Sequence, residues 1–316
     1  MMKRSSLATA ILAALCAAGA AHAEEAASGG LLAPENFSSK VALTSDYRVR
    51  GISNSDGPAI QGSLDWSYNG FFVGAWASNT EFSDSNIEID YYGGYGWAWA
   101  GLDFTVQGIY YTFPGEDSTL TEGFDPPGFD PTLPPTPTFP AAPAGQVQPY
   151  LGQLPDIDAD YFEINLGIKK TFEVQLSPSI GVNYHYSPDF FGEDGESHHI
   201  GGSVGITLPF GLSPYVNGGY QTVEGDEYSA YFATPDGYNW EYVQIGATYE
   251  VVGFTLDLSW VWSTEGGSCG GLGQPGCQFN GGFETFYNDY KYTSEGNSSY
   301  KDLTNDTVVF TISRSF

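Results

Sequence analysis

Seven carboxylates and two arginines stand in segments where charged and apolar side chains alternate: Asp46, Asp65, Glu88, Asp90, Asp103, Glu163 and Asp257, with Arg48 and Arg50. Glu88 and Asp90 fall between Ile87, Ile89 and Tyr91, and Arg48 and Arg50 alternate with Tyr47 and Val49 in the same rhythm. In an extended chain successive side chains point to opposite faces, so each such segment has one apolar and one charged face. If the charged faces enclose a lumen, a carboxylate row opposite a guanidinium pair sets up a transverse field. Such a field orients dipolar solutes and favours cations at the acidic wall. The bland alternative is that these charges neutralise one another and fill the space.

A second chemistry, ester hydrolysis, needs a serine activated by histidine. Beyond the first 23 residues the histidines are His185, His198 and His199. His185 alternates with Tyr184 and Tyr186 and so faces away from them, while His198 and His199 read as loop residues beside Glu196. No serine motif of nucleophile-elbow type is expected to accompany them, so catalysis is not expected.

The elements that would position these groups are twelve alternating stretches of about ten residues. They run from Val41 to Arg50, Ile60 to Tyr68, Phe71 to Ser78, Ile87 to Trp97, Leu102 to Tyr111 and Phe162 to Ile168. The second half continues with Val174 to Tyr184, Ile200 to Leu208, Tyr215 to Thr222, Tyr242 to Tyr249, Phe254 to Trp262 and Thr307 to Phe316. In the last, Val308, Phe310, Ile312 and Phe316 share one face, and Thr307, Thr311, Ser313 and Ser315 the other. Asn69-Gly70 is a strong two-residue hairpin signal. Spacers alternate long and short, as in bacterial barrels with brief periplasmic turns and long outer loops. The expected fold is all-β, a transmembrane antiparallel up-and-down barrel of about 12 strands. Tyr47, Trp66, Tyr68, Trp97, Tyr110, Trp262 and Phe316 are the expected interfacial girdles.

Lys3 and Arg4 ahead of an apolar run ending at Ala21-His22-Ala23 read as a secretory signal over 1–23. Residues 24–35 are then a flexible arm and 36–316 the barrel. Its two largest loops are proline-rich 114–158 and 263–302, which carries Cys269 and Cys277. In an oxidising compartment those two cysteines are expected to form a local disulfide. Without the leader, 8 basic residues face 38 acidic ones, which excludes nucleic acid as a partner and points to cations. No cofactor is implied.

The stretch VALTSDYRVRGISNSDGPAIQGSLDWSYNGFFVGAWASN, continued by IEIDYYGGYGW, resembles the opening of a proteobacterial family of TorF-type porins, also described as Gcw_chp-like. DYFEINLGI, from Asp160 to Ile168, resembles a later block of it. The resemblance implies an outer-membrane barrel and passive transport, with no substrate carried over. The proline-rich insertion and the Cys269/Cys277 loop depart from the family pattern. Phe316 on the terminal strand resembles a signal read by the barrel-assembly machinery, although Arg314 stands where an aromatic residue is usual.

Twelve strands lie between the side-chain-filled bore of about 8 and the open bore of about 16. Small inward residues such as Ser63, Gly94, Gly181, Ser203 and Ser259 leave room for water, and Tyr92, Tyr111, Tyr161, Tyr215 and Tyr242 reduce it. The expectation is a narrow channel for small polar or cationic solutes in the outer membrane of a Gram-negative bacterium. The alternatives are a closed surface barrel with adhesive loops and, last, a lipid hydrolase. Acidic loop residues such as Glu196 and Glu224 are expected to meet lipopolysaccharide phosphates through divalent cations. Asp156, Asp158 and Asp160 begin like a calcium loop, but Tyr161 stands where the sixth-position glycine is required, so no specific metal site is expected.

Overall fold

With apolar side chains on the outside and no water there to satisfy the backbone, every strand must pair on both sides. The computed structural model describes residues 30–80, 85–115, 159–191, 195–224, 238–264 and 306–316. The first half of the chain holds β1 (Phe37–Thr44), β2 (Arg48–Val49), β3 (Ile52–Ser53), β4 (Ala59–Tyr68), β5 (Phe71–Asn79), β6 (Ile87–Trp99) and β7 (Leu102–Thr112). The second half holds β8 (Tyr161–Thr171), β9 (Ser179–Ser187), β10 (Ser197–Gly205), β11 (Leu212–Val223), β12 (Tyr238–Val251), β13 (Phe254–Ser263) and β14 (Thr307–Ser315). Twelve of these close a barrel in chain order, and β2 and β3 pair only with each other. Among the described residues no helix is long and apolar enough to cross a membrane.

Closure is antiparallel throughout. β1 pairs with β4 on one side and β14 on the other, and Phe316 and Ser39 exchange backbone hydrogen bonds of 2.9 and 3.2 Å at the seam. Arg314 lies over the rings of Phe254 and Phe316, at 5.1 and 5.2 Å from their centroids, which covers the exposed end of the last strand.

The alternation seen in the sequence sorts side chains as a lipid-facing wall requires. Leu64, Leu166 and Leu258 are 71, 48 and 57% exposed, while Asp90, Glu163 and Asp257 on the other face are 0, 1 and 3% exposed. A closed sheet that is apolar outside and polar inside is the architecture of a bacterial outer-membrane barrel. Trp66, Tyr68, Phe71, Tyr95, Trp97 and Phe104 cluster near the tight turns, with Tyr95, Trp97 and Phe104 stacked in series at 5.9 and 5.3 Å. Asn36 holds the carbonyls of Gly30 and Leu31, and the Trp66 indole N–H donates to Leu31, so residues 30–36 rest against this end.

Tight turns at Asn69-Gly70, Ala100-Gly101 and Val252-Gly253 carry two consecutive positive φ angles each, the twist that joins adjacent antiparallel strands without splaying them. The longest connections, 113–160 and 264–306, leave from the opposite end. By the rule for such barrels that end is extracellular.

Four expectations need correction. The first wall strand stops at Thr44 rather than Arg50, and residues 45–58 leave the wall. Val174 and Leu176 belong to the turn before β9, where Leu176 and Ser177 have positive φ; Ile206 and Leu208 belong to the turn after β10. His198 and His199 lie in β10, not in a loop. Tyr47 is buried in the interior and is no part of a girdle.

Candidate functional site

What departs from a plain barrel is the 45–58 segment, which folds inward. Arg50 and Gly51, both with positive φ, make a two-residue turn between Val49 and Ile52. The segment holds its own shape through short polar contacts. Arg48 pairs with Asp46 at 2.6 Å and donates to the Gly51 carbonyl at 2.9 Å, Ser53 donates to Asp46 at 2.5 Å, and the Ser55 hydroxyl accepts from the Tyr47 N–H at 2.8 Å. At its tip Gly51 lies so close to β12 and β13 that a Cβ there would come within 2.6 Å of Tyr242 and 2.9 Å of Ser263.

From this tip Arg50 reaches the barrel wall. Its Nη2 donates to Glu163 Oε2 at 2.7 Å and lies 3.0 Å from His185 Nδ1, and its Nη1 donates to Gln221 Oε1 at 2.7 Å. The Trp240 indole donates to the Arg50 carbonyl at 2.9 Å. One residue thereby ties the segment to β8, β9, β11 and β12. Burial opposes the charge on Arg50, but the adjacent Glu163 carboxylate and its hydrogen bond more than offset that, so the guanidinium holds its proton more tightly than usual. Toward β5 and β6, Tyr47 donates to Glu88 Oε1 at 3.1 Å and packs against Trp76 with ring centroids 5.1 Å apart.

Apolar packing completes the obstruction. Ile52 joins buried Phe113, Phe190, Phe191, Val223 and Trp240. Phe113 meets Phe191 edge-on at 5.3 Å, and Tyr161 meets Phe190 at 5.0 Å.

The sequence-selected charges therefore separate into groups. Arg50 and Glu163 meet directly, whereas Asp46 and Arg48 meet only each other inside the segment. The expected opposition of Arg48 and Arg50 to Glu88 and Asp90 is not formed. Among the described residues, Glu88 Oε2, both oxygens of Asp90 and Glu163 Oε1 are buried without a hydrogen-bond partner. Nearer the tight turns, Asp65 accepts from the Tyr92 hydroxyl and from Ser63 at 2.8 Å, and Asp257 accepts from Tyr215 at 2.9 and 3.1 Å. Lys40 on β1 supplies the positive charge acting on Asp65 and Asp257. Asp103 is in register with Lys169 across β7 and β8.

Sequence reasoning did not single out Gln221 and Trp240 as partners of Arg50, nor Tyr47 as a lumen residue. The available signal was Gly51: an X-Gly pair between Val49 and Ile52 is itself a hairpin cue. His185 faces inward as expected, 3.4 Å from Glu163 Oε2, and His199 lies behind it with ring centroids 4.9 Å apart. Contrary to expectation, Gly201-Gly202-Ser203-Val204-Gly205 spells a nucleophile-elbow pattern, but the run forms the last five residues of β10, so Ser203 is extended strand and not the apex of a strand-to-helix turn. On the outer wall Glu196, His198 and Glu224 place one potential ligand atom each within 4.8 Å of the others. Residues 1–23, Cys269, Cys277, Asp156 and Asp158 lie outside the described residues.

A family model described as a bacterial protein of unknown function (Gcw_chp) matches residues 26–125, less than half of the chain. No curated protein matches the sequence. Among solved structures the chain is similar to the NanC porin, at 8% identity and a TM-score of 0.41, covering 88% of this chain and 97% of that one. It is also similar to OprD of Pseudomonas aeruginosa, at 8% identity and a TM-score of 0.36, covering 89% and 65%. OmpF of Salmonella typhi, in complex with daunomycin, gives 9% identity and a TM-score of 0.36, covering 89% and 96%. At such scores the fold assignment rests on the strand pairings of this chain itself.

Proposed function

We propose that this protein is an outer-membrane channel of the TorF porin type, admitting small polar or cationic solutes by passive diffusion, with residues 45–58 as its internal constriction. The observation that carries the reading is a closed barrel with a polar bore crossed by one buried guanidinium, Arg50, bound to the opposite wall. A channel that only needed to be sealed could fill its bore with apolar side chains, since a buried ion pair is weak evidence for stability. A polar tether on a segment joined to the wall at both ends is suited to restricting passage while keeping a wet route beside it. Lumen carboxylates Asp65, Glu88, Asp90, Asp103, Glu163 and Asp257 outnumber the lumen bases Lys40, Arg48, Arg50 and Lys169 and bias that route toward cations.

Thr44 and Ala59 are cross-strand partners, so replacing residues 45–58 with a two-residue Asn-Gly turn leaves the wall strands in register. The expected result in planar bilayers is small cation-selective steps for the natural chain and several-fold larger steps for the shortened one. Absence of steps from both would sink the channel reading.

A second reading, a surface barrel without an open pore whose loops bind partners, is favoured by the aromatic cluster around Ile52. It requires the shortened chain to stay silent as well. Under either reading, Glu196 and Glu224 beside His198 support contact with lipopolysaccharide phosphates through divalent cations. Phe316 at the barrel seam supports recognition by the assembly machinery.

A further inference from the structure

We infer that the cavity at the extracellular mouth binds a small organic ammonium ion, with Glu88 as its counter-charge; this rests on the channel reading and names a solute class for it. The cavity, about 40 Å³, lies where β6, β7, β8 and β12 end or begin at the long-loop side. A water molecule needs about 10–15 Å³ by the same measure, so the space admits an ion of a few heavy atoms.

Two independent observations fix the ligand's charge and its chemistry. The first is a charge deficit. Among the described residues no donor reaches Glu88 Oε2, which lines the cavity, or either oxygen of Asp90, which stands two residues along the same face of β6 and interacts directly with the Glu88 carboxyl. Both are more than nine-tenths buried. Arg50 also lines the cavity, but its guanidinium is engaged by Glu163 and Gln221 and gives Glu88 no hydrogen bond. A carboxyl removed from water either holds a proton or takes a counter-charge, and a cation in the cavity competes for Glu88 with that proton. The second observation is the wall itself. Phe113, Tyr161, Phe190 and Trp240 present aromatic rings, while Asn54 is the one uncharged polar side chain besides the Tyr161 phenol. A hard metal ion takes six or more oxygen ligands, which this lining does not provide. Ring faces around a carboxylate are what an alkylated nitrogen prefers, because the ring quadrupole attracts a weakly hydrated cation that also has apolar surface to bury.

The test uses the purified full chain in detergent micelles. Tetramethylammonium is titrated at constant ionic strength and followed by tryptophan fluorescence, to which Trp240 contributes, and by calorimetry. Tert-butanol, neutral and of similar size, and calcium chloride are titrated in parallel. Saturable binding of tetramethylammonium is expected, with tert-butanol about tenfold or more weaker. Glu88→Gln, which keeps an acceptor for Tyr47, should lose the tetramethylammonium response while retaining a heat-modifiable gel band that shows it folded. The proposal is overturned if the natural chain shows no saturable binding, if Glu88→Gln binds equally well, if tert-butanol matches the cation, or if calcium alone responds. Bilayer conductance recorded on the same samples separates the two ideas, since conductance steps without ammonium binding sink only this inference.

Discussion

The two halves of the lumen share a wall but solve different problems. Toward the tight turns, Asp65 and Asp257 take their hydrogen bonds from tyrosine hydroxyls and neighbouring serines or their charge from Lys40, among small side chains such as Ser63, Gly74 and Gly246. Toward the long loops, Glu88 Oε2, Glu163 Oε1 and both oxygens of Asp90 lack partners among the described residues, aromatic rings fill space, and a covalently continuous hairpin projects into the bore. Satisfied polar groups give a wall that can stay wet without moving, whereas unsatisfied ones mark a place where something else must bind or shift. On the proposed channel reading, the difference puts control of passage in the extracellular half.

Arg50→Ala should produce the largest effect. Removing one partner of a buried pair leaves Glu163 uncompensated, at a cost of about 3–5 kcal/mol. Most of that cost falls on the hold of the 45–58 segment, because twelve strands still close the wall without it. Single-channel conductance should rise several-fold. Asp257→Asn in the other half should leave conductance within about twofold and lower only the cation preference. Equal effects of the two substitutions on conductance would erase the distinction between the halves.

Gly51→Ala tests the same hinge without altering any charge. The φ of +90° disfavours a Cβ, and the Cβ would press on the rigid Cβ atoms of Tyr242 and Ser263. Together these should cost about 1–3 kcal/mol, enough to expel the tip from the wall in a measurable fraction of molecules. The readout is faster limited proteolysis between β1 and β4 in micelles, with the barrel band intact. Trp240→Phe should give a smaller change of the same sign, about 1 kcal/mol, because it removes one indole hydrogen bond to the Arg50 carbonyl and keeps the ring. Intermediate open probability in bilayers is the expected outcome, and an open probability no higher than that of the natural chain would mean that the indole does not hold the tip.

The wall was legible because a period of two is imposed residue by residue: Val308, Phe310 and Ile312 announce a lipid face wherever they are read. The constriction was not, because Asp46, Tyr47, Arg48, Val49 and Arg50 alternate as a wall strand would. Alternation reports two faces in contact with different media, and a hairpin between a wet bore and an aromatic cluster meets that description too. Only Gly51 broke the pattern. Pairings such as Arg50 with Glu163 and Gln221 depend on how the barrel closes over 100 residues of sequence separation, which no local spacing encodes. The start of β9 at Ser179 and the end of β10 at Gly205 were overrun for a related reason: Val174, Leu176, Ile206 and Leu208 continue the apolar count into turns that face the same membrane surface.

The smallest prediction probes the tight-turn half, where the polar groups of the lumen are satisfied and the strain lies in a turn. Val252 sits at φ +51° in the two-residue turn before Gly253 and is nearly fully exposed. A β-branched side chain is strained there, whereas Asn69 occupies the corresponding place in the turn between β4 and β5 with φ +49°. Val252→Asn should therefore stabilise the barrel by about 1 kcal/mol, seen as a higher temperature for loss of the folded gel band, with conductance unchanged. If instead conductance moved with this substitution, strain at the periplasmic rim would be coupled to the 45–58 segment across the height of the barrel, and the two halves would have to be treated as one switch.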